Sequence, residues 1–184
     1  KESVEEGSIP LARIDDAVKR ILKVKLRNGL FDNPIVENDA LEVIGSDAHR
    51  DIARQAVRES VVVLKNDNII PISKDSKSIV VAGRGADNLG MQCGGWTINW
   101  QGGQGDITVG TTILDGIKKS VSSETNVIYS IDGQDLNDVD GDLAVVVIGE
   151  DPYTEFFGDK DNLDLLDDDI ETINTLKNKG YKVM

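Results

Sequence analysis

Three short, largely apolar runs most constrain the fold of this chain. They are SIVVA at 78–82, NVIYSI at 126–131 and LAVVVI at 143–148. Two segments have apolar residues at helical spacing: residues 111–121, between the first and second runs, and residues 167–179, after the third run. Strands that are apolar on both faces and alternate with helices are typical of a parallel sheet buried between helical layers. The sequence therefore predicts an α/β fold with a mostly parallel sheet sandwiched between helices.

The remaining sequence predicts a helical entry and two further strands. Helices are expected at 9–28 and from about 47 to 58, with the polar stretch 33–46 between them as a linker. The β-branched run SVVVL at 60–64 and the terminal YKVM at 181–184 are predicted strands. Since the chain lacks an initiator Met and ends just inside the last of these strands, we expect a fragment of a longer protein.

Charge and the scarcity of ligating side chains exclude several classes of function. The net charge is −13, which opposes binding to nucleic acid or to an anionic membrane surface. Cys93 is the only cysteine, so the chain has no internal disulfide and no Cys-rich metal site. His49 is the only histidine, which excludes a multi-histidine metal site and disfavours a Ser-His-Asp hydrolase. We therefore expect no metal, no cofactor, and neither nucleic acid nor membrane as a partner.

Both tryptophans of the chain lie in one glycine-rich segment, after the predicted strand at 78–82. Trp96 and Trp100 are four residues apart in GGWTINWQG, residues 94–102. This setting favours display toward a ligand, whereas two core tryptophans are the alternative. An indole offers a large flat surface to the apolar face of a glucose ring. The segment therefore predicts a contact with carbohydrate.

Two glutamates lie in GEDPYTEFFGD, residues 149–159, directly after the predicted strand at 143–148. Pro152 opposes a continuous helix between Glu150 and Glu155, so both are expected on an irregular loop. Loops that leave the carboxyl ends of parallel strands build the ligand crevice of an open α/β sheet. The glutamate loop and the tryptophan loop are therefore expected at the same edge of the sheet.

Loop carboxylates have a specific use in carbohydrate chemistry. Glycoside hydrolysis needs a carboxylic acid that protonates the leaving oxygen and a second carboxylate opposite it. Acidic neighbours such as Asp151 and Asp159 would raise the pKa of such an acid by like-charge repulsion. The alternative is that Glu150 and Glu155 are surface residues of an acidic region.

Four segments, in order along the chain, resemble glycoside hydrolase family 3, nearest its β-glucosidase and β-glucan exohydrolase branch. GGWTINWQG (94–102) and GEDPYTEFFGD (149–159) are similar to two loops of the family's second domain. PLARIDDAVKRIL (10–22), with GLF (29–31), resembles the last helix of its first domain, a TIM-like barrel. ARQAVRESVVVLKN (53–66) resembles the entry into the second domain, an α/β sandwich.

The resemblance implies a division of the chain and a wider architecture. Residues 1–32 would be the terminal helix of the preceding barrel, 33–46 a linker, and 47–184 an incomplete α/β sandwich domain. The rest of the barrel would be this domain's partner within the same polypeptide.

The resemblance also implies the roles of individual residues. In this family a retaining mechanism uses a nucleophilic aspartate from the barrel and an acid/base from the second domain. The matching position for the acid/base is Glu155, with Glu150 as the second choice. Trp100 matches a tryptophan that forms one wall of the substrate slot, and Trp96 is expected to pack against the loop and orient it.

The implied function is that of an exo-acting β-glucosidase or β-D-glucan glucohydrolase. It would remove glucose from the non-reducing ends of β-glucans or of cello- and laminari-oligosaccharides. Since the nucleophile would lie in the absent barrel, we expect the chain on its own to be inactive.

Two other classes of function stay open from the sequence. One is a noncatalytic carbohydrate-binding α/β module that uses the tryptophan loop alone. The other is an acidic signalling domain of flavodoxin-like form, whose Asp-rich loops hold Mg²⁺; this class does not account for the two tryptophans.

Overall fold

The computed structural model describes residues 1–35, 38–137 and 139–184. The chain divides into two compact units, Lys1–Leu64 and Lys65–Met184. The predicted linker at 33–46 includes residues 36 and 37, which lie outside the described residues. Among the described residues, no helix combines the length and apolar character needed to cross a membrane.

The first unit is helical. It contains α1 (Glu2–Glu5), α2 (Leu11–Arg27), a 3-10 helix (Asn38–Val43) and α3 (Asp47–Ser60). The two helices predicted here are thus confirmed as α2 and α3. Helix α2 begins after Pro10 and is followed by Gly29 in the left-handed conformation, at φ 66°, which a glycine adopts without strain.

The strand predicted at 60–64 is wrong. Ser60 is the last residue of α3, and residues 61–64 have no regular secondary structure. Their apolar side chains are exposed, Leu64 most of all at 93%. A β-branched run favours a strand only where a neighbouring strand pairs with it. The four-stranded sheet of the second unit does not include residues 61–64.

The second unit is built on a parallel sheet of four strands. They are β1 (Ser78–Ala82), β2 (Asn126–Ser130), β3 (Leu143–Val146) and β4 (Lys182–Val183), in the order β2-β1-β3-β4. Every pairing is parallel, and all five residues of the central strand β1 are buried. The predicted α/β class and its mostly parallel sheet are therefore confirmed.

The described residues of this unit form three helices: α4 (Leu89–Cys93), α5 (Ile113–Ser120) and α6 (Asp167–Asn178). The predicted helices at 111–121 and 167–179 are confirmed as α5 and α6. Helix α4 was not predicted, because a single turn that contains a glycine shows no helical periodicity. Its one local signal is Asn88, whose side chain caps the helix by accepting a hydrogen bond from the Met91 amide at 3.0 Å.

Alternate residues of β1 pack on opposite faces of the sheet, as the period of two of a strand requires. On one face Ile79 and Val81 pack in a cluster with Leu114 of α5. On the other face Val80 and Ala82 pack in a cluster with Leu176 of α6. The sheet is therefore covered on both faces.

Strands β1 and β3 lie side by side, and their carboxyl ends are joined beyond the last strand residues. The Val147 amide donates to the Ala82 carbonyl at 2.8 Å, and the Gly85 amide donates to the Val147 carbonyl at 3.1 Å. Gly83 is required here, because its φ is 90° and a Cβ atom would overlap the Val147 carbonyl oxygen. The loops that follow β1 and β3 therefore begin at adjacent points on one edge of the sheet.

Candidate active site

Two loops meet beyond this edge: the Trp loop, residues 94–103, and the carboxylate loop, residues 149–159. A reciprocal pair of hydrogen bonds joins them. Gln101 Nε2 donates to Thr154 Oγ1 at 2.7 Å, and the Thr154 amide donates to Gln101 Oε1 at 3.3 Å. Thr154 is buried, so these bonds are shielded from competing water and fix the two loops relative to each other.

The close approach of the loops requires glycine at two positions of the Trp loop. A Cβ atom on Gly95 would overlap the Tyr153 carbonyl oxygen and lie 2.6 Å from Thr154 Cγ2. Gly102 has a φ of 74°, and a Cβ atom there would lie 2.9 Å from Pro152 Cβ. The glycine-rich composition of the Trp loop thus permits backbone contact with the carboxylate loop.

The contact between the loops brings Trp100 to Glu155. Trp100 Nε1 donates a hydrogen bond to Glu155 Oε1 at 3.2 Å, and both residues are exposed. The Trp100 ring also lies 6.2 Å from the ring of Phe156 and 6.1 Å from that of Phe157, in edge-to-face geometry. A carboxylate and the aromatic surface predicted from the sequence therefore lie together.

Trp96 lies on the same surface but is held differently. Its amide donates to the Trp100 carbonyl at 3.0 Å, and the two indole rings are tilted at 54° with centroids 6.4 Å apart. The Trp96 side chain is 71% exposed, compared with 38% for Trp100. Neither tryptophan belongs to a core cluster of the described residues, so the alternative of two core tryptophans does not apply.

Glu150 lies in the same loop in a different environment. Its Oε2 accepts a hydrogen bond from the Tyr153 hydroxyl at 2.6 Å, and its Oε1 accepts one from Lys160 Nζ at 3.3 Å. The Tyr153 hydroxyl, and secondarily Lys160, lower the pKa of Glu150 below its ordinary value. The expectation that acidic neighbours would raise the pKa is thus wrong for Glu150, because its close partners are a phenol and a cation.

Tyr153 and Lys160 also interact with each other. Lys160 Nζ lies 5.2 Å from the centroid of the Tyr153 ring, a cation–π distance. The hydrogen bond to Glu150 raises the pKa of the Tyr153 hydroxyl, as expected for a donor to a carboxylate. These contacts tie Glu150 and Tyr153 of the carboxylate loop to Lys160, the residue that directly follows the loop.

Arg84 is a residue of this region that the sequence analysis did not identify. Its guanidinium donates to the Gly149 carbonyl and to the Asp151 carboxylate, at the start of the carboxylate loop. Arg84 Nε lies 3.4 Å from Oδ1 of Asp169, a buried carboxylate in α6. Arg84 therefore fastens the base of the carboxylate loop to β1 and α6. Its only sequence signal is a lone arginine in the glycine-rich turn after a buried strand.

Within the described ranges, His, Cys, Asp and Glu side chains do not gather into any group of three that could hold a metal ion. The two glutamates of the carboxylate loop are both exposed: Glu155 accepts a hydrogen bond from Trp100, and Glu150 accepts hydrogen bonds from Tyr153 and Lys160. This arrangement has the chemistry of proton transfer beside an aromatic surface.

A parallel α/β domain that presents indole rings and a carboxylate on adjoining loops has the features of a carbohydrate-active domain. Residues 61–184 match the sequence profile of the Glycosyl hydrolase family 3 C-terminal domain. The chain belongs to this family, and the resemblance described from its sequence is confirmed.

Relatives of known activity support the same assignment. The lysosomal beta glucosidase of Dictyostelium discoideum is 31% identical over 205 residues, which cover 100% of this chain and 25% of the relative. The periplasmic beta-glucosidase of Salmonella typhimurium is 32% identical over 142 residues, 73% of this chain and 18% of the relative. This chain therefore spans a quarter or less of the length of these two relatives.

A solved structure shows the same fold. The crystal structure of the exo-1,3/1,4-beta-glucanase from a Pseudoalteromonas species superimposes with a TM-score of 0.86 at 36% identity, covering 100% of this chain and 24% of that protein. The chain is thus a domain of the kind found in glycoside hydrolases.

The loop contact predicts a large difference between two Gly→Ala substitutions. Gly95→Ala places a methyl group against the Tyr153 backbone and should lower the free energy of unfolding by about 1–3 kcal/mol, as overpacking does. Gly116→Ala, in α5 with open space at its Cβ, should be neutral or stabilising by up to about 1 kcal/mol. Urea unfolding followed by circular dichroism measures both, and equal stabilities would contradict the proposed role of Gly95.

The pKa of Glu150 provides a second prediction. Because folding lowers this pKa, the Tyr153 and Lys160 contacts stabilise the loop above the ordinary titration range of glutamate, and this stabilisation is lost as the pH falls through the lowered pKa. In Tyr153→Phe the carboxyl titration midpoint should rise toward the ordinary value, as measured by NMR of the Glu150 side-chain carboxyl carbon. The control is Tyr181→Phe, at a tyrosine that packs against the buried cluster of Leu176. An unchanged midpoint in Tyr153→Phe would rule out the hydroxyl as the main cause.

Proposed function

We propose that this chain is the acid/base-bearing domain of a retaining, exo-acting β-glucosidase or β-D-glucan glucohydrolase. The enzyme would remove glucose from the non-reducing ends of β-glucans or of cello- and laminari-oligosaccharides. The observation that carries the proposal is the hydrogen bond of 3.2 Å between Trp100 Nε1 and Glu155 Oε1, which places a carboxyl group against an aromatic wall. The activities of the relatives, two beta-glucosidases and an exo-1,3/1,4-beta-glucanase, support the substrate class.

Glu155 is proposed as the general acid and base. As the acid it protonates the leaving glycosidic oxygen, and as the base it then takes a proton from the water that hydrolyses the glycosyl intermediate. Its Oε1 is occupied by the Trp100 N–H, and its Oε2 makes no hydrogen bond to the described residues. The proton is therefore assigned to Oε2 of this exposed side chain.

Glu150 is less suited to the same role. Both of its carboxylate oxygens already accept hydrogen bonds, and its lowered pKa favours the ionised form, which has no proton to donate. Its contacts suit a residue that holds the carboxylate loop closed. These observations support Glu155 over Glu150 as the acid.

The tryptophans are proposed to bind substrate with distinct roles. The exposed face of Trp100 stacks against a glucose unit while its N–H orients Glu155. Trp96 bonds through its backbone to Trp100 and so supports the conformation of the Trp loop.

The reaction also needs a nucleophilic aspartate, which we propose lies in a barrel domain that precedes this one. Residues 1–32 would be the last helix of that barrel, 33–46 a linker, and 47–184 the α/β domain. The apolar side chains of α2 support this division, because Val18, Leu22 and Leu26 are all exposed within the described structure of the first unit.

The alternative is a noncatalytic carbohydrate-binding module. The exposure of Trp96 and Trp100 favours it as much as it favours catalysis. The position of Glu155 beside Trp100 is the one observation that favours a catalytic domain over a binding module. Substitution of this glutamate therefore distinguishes the two functions.

Glu155→Gln, in a polypeptide that joins this domain to a barrel, should lower kcat on cellobiose or laminaribiose by about 10²–10⁴-fold, the usual contribution of general acid–base catalysis. Aryl β-glucosides with good leaving groups should be less affected at the first step, and azide should partly restore turnover. Glu150→Gln is the matched control and should cost less. Undiminished turnover in Glu155→Gln, with a large loss in Glu150→Gln, would transfer the role to Glu150.

The 184-residue chain alone should not hydrolyse an aryl β-glucoside, because Glu155 can transfer a proton but cannot form the glycosyl intermediate. The measurement is release of the phenol by the purified chain. Turnover that survives further purification and is abolished by Glu155→Gln would show that a nucleophile is present within this chain.

A further inference from the structure

The exposed apolar surface of the two loops is larger than the stacking of one glucose ring on one indole requires. The aromatic patch consists of Trp96, Trp100, Phe156 and Phe157, together with Ile98. It contains both tryptophans and two of the three phenylalanines of the chain. Trp100 lies at its centre, within 6.4 Å of the other three rings. The outer members are widely exposed, Phe156 at 75% and Phe157 at 79%. A contiguous exposed apolar surface of this kind marks an interaction site.

The backbone under the patch is strained. Trp96, Ile98 and Phe156 have φ angles of 60°, 65° and 69°. The left-handed region is unfavourable for β-branched and bulky residues, and such conformations cluster at ligand-binding and catalytic sites. Among the described residues, the only other non-glycine residue with a positive φ is Asn68, of a type that tolerates it. The strain is thus concentrated where the apolar side chains are exposed.

The rings of Phe156 and Phe157 offer no hydrogen-bonding atom, and several polar groups beside the patch already have partners. The side chains of Gln101 and Thr154 bond to each other, and Glu150 bonds to Tyr153 and Lys160. A sugar ring needs hydrogen-bond partners for its hydroxyl groups as well as a stacking surface. A planar apolar group needs only the surface, so the Phe156 and Phe157 side of the patch suits an aromatic group better than a second glucose unit.

We propose that Phe156 and Phe157 determine leaving-group specificity, and that they select aryl β-glucosides over glucose disaccharides. This inference rests on the proposed function. The two phenylalanines follow Glu155 directly in the chain, and Glu155 would protonate the oxygen that joins glucose to its leaving group. A leaving group that departs past Glu155 therefore meets the aromatic patch. The phenylalanine rings contact the flat face of an aryl leaving group, which has no hydroxyl groups that need hydrogen-bond partners.

The whole 184-residue chain provides a direct readout of binding, because Trp96 and Trp100 give the only two indole N–H signals in a ¹H–¹⁵N NMR spectrum. Trp96→Phe assigns them. Phenyl β-D-glucoside, methyl β-D-glucoside and cellobiose are titrated separately, and the shift of the Trp100 signal gives the affinity. Phenyl β-D-glucoside should bind about fivefold more tightly than either of the others, the size expected for an added aromatic contact.

Phe157→Ala should remove this preference. Phe31→Ala, the same substitution at an exposed phenylalanine of the first unit, should preserve it. Equal binding of the three glycosides, or an unchanged preference in Phe157→Ala, would overturn the proposal. If no glycoside moves the Trp100 signal, the proposal is likewise wrong, and the patch is assigned to a protein contact.

These outcomes are independent of the catalytic assignment. A Phe157-dependent preference in the chain, combined with full turnover of the Glu155→Gln enzyme, would retain the binding surface and reject the proposed acid. Loss of turnover in Glu155→Gln without any aryl preference would retain the acid and reject the specificity role.

Discussion

The geometry of the site depends on the reciprocal hydrogen bonds between Gln101 and Thr154, which join the Trp loop to the carboxylate loop. Strands β1 and β3 end side by side, but the Trp loop begins only after α4, so the strands alone do not set where the two loops meet. The buried Thr154 and its amide partner fix where the loops meet, and Gly95 lets the backbones come into contact there. The hydrogen bond between Trp100 and Glu155 follows from that contact.

Chemical identity alone does not distinguish the two glutamates of the carboxylate loop. Glu150 and Glu155 are five positions apart, exposed and in a strongly acidic region. Their partners differ: a phenol and an ammonium group satisfy both oxygens of Glu150, whereas Glu155 has an indole donor on one oxygen. These environments support the proposal that Glu150 holds the loop and that Glu155 transfers the proton.

Much of the fold was predictable from the sequence, because buried parallel strands are apolar on both faces and their helices are periodic. The strand expected at 60–64 failed because β propensity needs a pairing partner, and helix α4 was missed because a single turn has no period. The site was predictable as two loops at one sheet edge. The pairing of Glu150 with Tyr153, and the anchoring by Arg84, depend on tertiary distances that sequence spacing does not encode.

The position of the tryptophans also decides how this domain can be observed. Both indoles are in the Trp loop, and the buried clusters on either face of β1 contain aliphatic side chains. Intrinsic tryptophan fluorescence therefore reports on the contact between the two loops and is insensitive to the packing of the sheet. In a denaturation experiment, emission would change when the loops separate, even while the backbone spectrum is still native. A gap between the two transitions would measure how independently the site can open from the fold that supports it.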